Sequence, residues 1–220
     1  MTTAKVESEG AAEAGSPEQE RVISIWPNVA SLSRLAVAPI LIALLAWTSA
    51  GGATPAAWVW WTASIIFALG MATDALDGYL ARRLDSVTQF GRMIDPLVDK
   101  VLTQSALVML ASISMTSQMV PAWAVALILA REVLITGLRG WAEVAGLDFS
   151  ASPLGKAKTA SQTVAILAAF VFAVPGLLDP VLAVTTVFWL VMLAMTLTLL
   201  SGVDYCLRLR RAFQSLNMKI

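Results

Sequence analysis

The chain has 220 residues, of which 58% are hydrophobic and 14% charged, and its 15 basic and 15 acidic side chains cancel at neutral pH. So apolar a composition excludes an ordinary water-soluble domain, and the absence of net charge argues against a general nucleic-acid binder. There is no histidine, which removes imidazole general-base chemistry and argues against a conventional zinc site, and the one cysteine, Cys206, excludes an internal disulfide.

Residues 1–20 are rich in Ala, Glu, Gly and Ser without periodicity and are expected to form a disordered cytoplasmic tail. Residues 21–207 form the expected membrane domain. A bilayer span needs about 20 mostly apolar residues, and six stretches meet that requirement, near 31–48, 57–80, 95–115, 120–142, 157–175 and 180–204. The first of them starts well inside the chain without a small-residue cleavage pattern, so it is not a signal peptide. The fold expected is all-α and polytopic, with six transmembrane helices. Trp58, Trp60 and Trp61 at the start of the second stretch predict an interfacial belt. The connections 49–56, 116–119 and 176–179 carry no Lys or Arg and a single acid, Asp179. Arg82, Arg83 and Arg92 lie between the second and third stretches, and Arg208, Arg210, Arg211 and Lys219 fall in a basic tail over 208–220. The positive-inside rule therefore puts both termini, and the loop between the second and third spans, on the cytoplasmic side of the cell membrane. No internal repeat supports a duplicated transporter architecture.

The stretch from Asp74 to Lys100 carries the chemistry. Asp74 and Asp77 are spaced i,i+3, and Asp95 and Asp99 i,i+4, so each pair shares one helix face. The loop between them is short enough to bring the faces together, with Asp85 left as a solvated charge. Four converging carboxylates repel unless cations hold them, and an all-oxygen ligand set selects a hard ion, Mg²⁺ or Mn²⁺, as a bridged pair. Gly78 and Ala81 leave room for a substrate near the backbone, and Gly91 sits where the chain turns into the next helix. Arg82 offers a planar fork suited to phosphate. Two metals beside an arginine describe a cytoplasmic-side site for a pyrophosphate. The competing reading makes these acids interfacial charges paired with Arg82, Arg83, Arg92 and Lys100.

The pattern Asp77-Gly78-x2-Ala81-Arg82-x8-Gly91-x3-Asp95-x3-Asp99, with Asp74 upstream, resembles the signature of the CDP-alcohol phosphotransferase family at every position. The resemblance implies a six-span membrane enzyme, commonly a homodimer, that moves a phosphatidyl or related group from a CDP-linked donor to an alcohol. Carried over by position, it makes Asp74, Asp77 and Asp95 metal ligands and Asp99 the general base, with a possible contact to the second metal. Gly78, Arg82 and Thr88 match donor-contacting positions. Trp26, Pro27, Asn28 and Val29, with Ser31, resemble the family's nucleotide-side segment, although a plain helix entry capped by Asn28 or Ser31 fits the same residues.

The fourth stretch holds Arg131, Glu132 and Arg139. Arg131 and Glu132 are adjacent and are expected to face differently, whereas Arg131 and Arg139 lie within about 80° around a helix axis and call for an anion. Gly155-Lys156-Ala157-Lys158-Thr159 adds two cations at the start of the fifth stretch; alone, these are equally well snorkelling lysines. Together the two segments resemble those family members whose acceptor is sn-glycerol 3-phosphate, with Arg131, Arg139, Lys156 and Lys158 on its phosphate and CDP-diacylglycerol as donor. Ala30 and Ser31 depart from the Leu and Thr usual there. Inositol phosphate and phosphatidylglycerol are the alternative acceptors, and an ion-coupled transporter is the alternative outside enzymes.

Overall fold

The computed structural model describes residues 36–47, 55–84, 89–144 and 152–217; the side chains of 74–84, 89–99, 143 and 215–217 lie outside that description. Among the described residues the chain is helical and has no strand. The helices are α1 (Ala36–Trp47), α2 (Ala57–Leu84), α3 (Gln89–Ser112), α4 (Ala122–Val144), α5 (Pro153–Phe172) and α6 (Pro180–Asn217). Each apolar run expected to span a membrane coincides with one of them. Among the described residues, one helix segment, Pro180–Gln214 of α6, is long and apolar enough to cross a membrane. Residues 208–217 of the basic tail continue α6 without a break.

Local chemistry sets the helix ends. Ser152 caps α5, its hydroxyl accepting from the Gly155 N–H at 3.0 Å, and Pro153 occupies the first helical position, where its missing N–H costs nothing. The same device starts α6. Asp179 Oδ1 accepts from the N–H groups of Val181 and Leu182 at 2.9 and 3.1 Å, with Pro180 first in the helix. Gly176 makes the preceding turn at φ +76°, a conformation costly for other residues.

Helix α5 is central: it packs on α2, α3 and α6, while α4 packs on α3 and α6. Phe67 of α2 meets Phe170 of α5 edge-on, with ring centroids 6.0 Å apart, and both are fully buried. Trp60 is fully buried in the same core, whereas Trp58 and Trp61 are exposed. The expected tryptophan belt is therefore two residues rather than three. Trp58 and Trp60 are two positions apart, about 200° around a helix, so one must face inward when the other faces out. Gly70 brings α2 close to α3; a Cβ there would stand 2.6 Å from Leu102 Cδ2.

Helix α6 buries one stripe along its length: Val187, Val191, Ala194, Thr198, Ser201, Tyr205 and Leu209. From Val187 to Tyr205 the steps alternate between four and three residues, as in a coiled-coil seam. Val181, Trp189, Leu193, Leu200 and Val203 are exposed and just as apolar. A helix hydrophobic on every side has its outer face in lipid or against another chain.

Candidate active site

The polar centre of the described structure is one carboxylate. Glu132 on α4 is 3% exposed, deep among helices otherwise packed through apolar side chains. Its Oε1 accepts from Arg131 Nη1 at 3.0 Å and pairs closely with the Lys158 ammonium of α5. Its Oε2 faces Lys100 Nζ of α3 at 3.1 Å, as an ion pair rather than an aligned hydrogen bond. Lys100 also donates to Thr136 Oγ1, one turn along α4, and the Thr136 hydroxyl donates to the Glu132 carbonyl at 2.7 Å. A carboxylate this deep is tolerated only when paired and hydrogen-bonded. Here three cations from three helices surround it.

Arg131 reaches the other way as well, donating from Nη2 to Ser201 Oγ of α6 at 2.6 Å. Gly202 makes space for it, since a Cβ on Gly202 would lie 3.1 Å from Arg131 Nε and 3.2 Å from its Cγ. Arg131 Nε is buried with no hydrogen-bond partner among the described residues. One turn before Ser201, Thr198 accepts from Gln162 Nε2 at 2.8 Å, so α6 holds α4 and α5 through consecutive polar rungs. Gly202→Val forces branched carbons into the arginine stem, whose head is already held at two points. The expected result is a loss of about 1–3 kcal/mol of stability, read as a lowered thermal midpoint in detergent.

The residues expected to hold the acceptor phosphate divide into two groups. Arg131 and Lys158 are largely buried and joined through Glu132, and Arg139 and Lys156 are exposed. The expectation that Arg131 and Glu132 face apart is corrected. The guanidinium is on a long, flexible stem and folds back onto its neighbour's carboxylate, which the backbone directions of adjacent residues do not forbid. Sequence reasoning missed Lys100 and Ser201 as partners and Glu132 as the hub. An acid inside an apolar run between two arginines was the available signal.

Asp74, Asp77, Gly78, Ala81 and Arg82 lie on the second half of α2, and Gly91, Asp95 and Asp99 on the first half of α3. Gly91 is thus within helix α3, in its first turn, rather than in the turn before it. The side chains of these residues, and the whole of Trp26, Pro27, Asn28, Val29, Ser31 and Thr88, lie outside the described residues. Asp99 immediately precedes Lys100, so the acidic segment and the Glu132 cluster meet along a single turn of α3.

Residues 24–200 match the family model described as CDP-alcohol phosphatidyltransferase. A Bacillus subtilis protein named CDP-diacylglycerol--glycerol-3-phosphate 3-phosphatidyltransferase is 35% identical over 186 residues, covering 81% of this chain and 92% of the relative. A Mycobacterium tuberculosis protein named "Probable phosphatidylglycerophosphate synthase" is 39% identical over 184 residues, 84% of this chain and 81% of the relative. An Escherichia coli K12 protein with the same name as the Bacillus one is 37% identical over 118 residues, 51% of this chain and 62% of the relative. Since the family match extends across most of the sequence, including both the acidic segment and the Glu132 cluster, the chain belongs to the CDP-alcohol phosphatidyltransferase family.

Proposed function

We propose that the chain transfers the phosphatidyl group of CDP-diacylglycerol to sn-glycerol 3-phosphate, giving phosphatidylglycerophosphate and CMP. The observation that carries the choice of acceptor is the surplus of positive charge around Glu132. Lys100, Arg131 and Lys158 surround one carboxylate among the described residues. With Lys100 offsetting the charge of Glu132, Arg131 and Lys158 suit a phosphomonoester, which carries close to two negative charges and several strong acceptor oxygens. The names of the Bacillus and Mycobacterium relatives point to the same acceptor.

In this reading the six helices span the cell membrane with both termini and the site on the cytoplasmic side. The donor enters from the inner leaflet with its acyl chains between helices and its cytidine towards the cytoplasm. The acceptor hydroxyl attacks the phosphorus bearing diacylglycerol, a new P–O bond forms, and the P–O bond to CMP breaks. Asp99 takes the hydroxyl proton, and Arg82 lies along the donor's phosphates. The acids of α2 and α3, all oxygen donors on helices joined by a short connection, fit a hard divalent cation. Asp74, Asp77, Asp95 and Asp99 would hold Mg²⁺ or Mn²⁺, which would offset the charge of the pyrophosphate and of departing CMP. Positioning and electrostatics then account for most of the rate.

The test is release of labelled CMP from CDP-diacylglycerol against a panel of acceptors. sn-Glycerol 3-phosphate should serve, and glycerol should be very poor because it leaves the cations unpaired. Arg139→Ala or Lys156→Ala should raise the KM for sn-glycerol 3-phosphate by roughly ten- to a hundredfold, at about 1.5–3 kcal/mol per charged hydrogen bond. Donor KM should stay nearly unchanged. Equal use of glycerol, or turnover only with inositol phosphate or phosphatidylglycerol, would replace this acceptor assignment.

A further inference from the structure

We infer that Glu132 is a positioning residue that ties the acceptor-phosphate cations to the turn of α3 carrying Asp99. The inference rests on the acceptor reading above. The carboxylate has two arms. Oε1 gathers Arg131 and Lys158, two of the cations assigned to the phosphate, from α4 and α5. Oε2 faces Lys100 of α3, and Thr136 on the next turn of α4 accepts from the same ammonium. Lys100 is therefore gripped at two successive turns of α4. This restrains the rotation of α3 about its axis at the residue next to Asp99.

A single buried oxygen pair thus fixes the cations and the neighbouring turn of α3 relative to each other. Without Glu132, the buried Arg131 and Lys158 and the part-exposed Lys100 would repel one another, and each would turn to whatever oxygen it could reach. The carboxylate leaves the cluster positive while deciding where that charge sits. Lipid-facing packing could hold the helices together, but the contacts of Lys100 with Glu132 and Thr136 relate this turn of α3 to α4, and proton transfer depends on such positioning.

The two arms make separable predictions for purified enzyme. Lys158→Met, on the Oε1 arm, should raise acceptor KM roughly tenfold and leave kcat within about threefold. Lys100→Met, on the Oε2 arm, should lower kcat roughly tenfold with little change in acceptor KM, and Lys100→Arg should restore most of it. Glu132→Gln should show both defects, with CDP-diacylglycerol KM within about twofold of the parent. The Glu132→Gln, Lys100→Met double variant should have a kcat no lower than Glu132→Gln alone. A carboxylate that only supports folding would reduce the yield of folded protein but leave both constants normal in the fraction recovered, and that result overturns the proposal. So does a normal kcat in Lys100→Met. If Glu132→Gln yields no folded protein, the Lys100 and Lys158 variants decide alone. A parent enzyme that ignores sn-glycerol 3-phosphate overturns the acceptor reading instead. A parent that uses it, beside variants with unchanged constants, overturns the role of Glu132 alone.

Discussion

Asp95→Asn and Asp74→Asn should each abolish transfer in protein that still inserts and remains helical. Either change keeps the shape of the side chain and removes one negative charge, so a loss of activity reports charge rather than packing. The acids lie at i,i+3 and i,i+4 on consecutive helices, an arrangement that brings like charges together and needs a cation to offset them. Excess chelator should accordingly stop turnover of the parent, and Mg²⁺ or Mn²⁺ should restore it. Calorimetric titration of Mg²⁺ into the parent and into Asp95→Asn provides a readout independent of turnover, with weaker binding expected in the variant. Full turnover in chelator would remove the divalent ions from the reaction.

Asp99→Asn should lower kcat by a factor of roughly 10² or more, the usual weight of a general base. Donor affinity should largely survive, because an amide at this position still fills the space but cannot take a proton. The decisive measurement sets CDP-diacylglycerol affinity beside turnover in the same preparation. Near-normal turnover would free Asp99 from proton transfer. Loss of donor affinity along with turnover would make Asp99 chiefly a metal ligand.

The helices were legible because apolar runs of this length leave little else to form, and α2, α4 and α5 lie within a few residues of where hydropathy puts them, whereas α3 begins six residues early and α6 runs 13 residues past its apolar run into the basic tail. The acidic segment stood out in the sequence because its spacing is local and unusual, though its side chains lie outside the described residues. The Glu132 hub was not. Its partners come from 32 residues earlier at Lys100 and 26 later at Lys158, and helical spacing says nothing about pairs that meet only through packing. Asp179 illustrates a different gap. It could be counted as a lone acid in an outer connection, but an Asp directly before Pro180 was also a readable cap signal. Trp60 shows the limit of composition, since three nearby tryptophans on one helix cannot all face the same way.

The buried stripe of α6 bears on how this helix finds its depth. In a membrane an apolar ridge gains little by being inside rather than outside, because lipid tails are as apolar as the neighbouring helix. Val187, Val191 and Ala194 could pack nearly as well one turn higher or lower. Thr198 and Ser201 could not. A shift of one residue turns the helix by about 100° and slides it by about 1.5 Å, which would strand Gln162 of α5 and Arg131 of α4 together. The two hydroxyls therefore act as a key with two teeth. They contribute little to how tightly α6 is held, but they allow one register out of several that grease alone would accept.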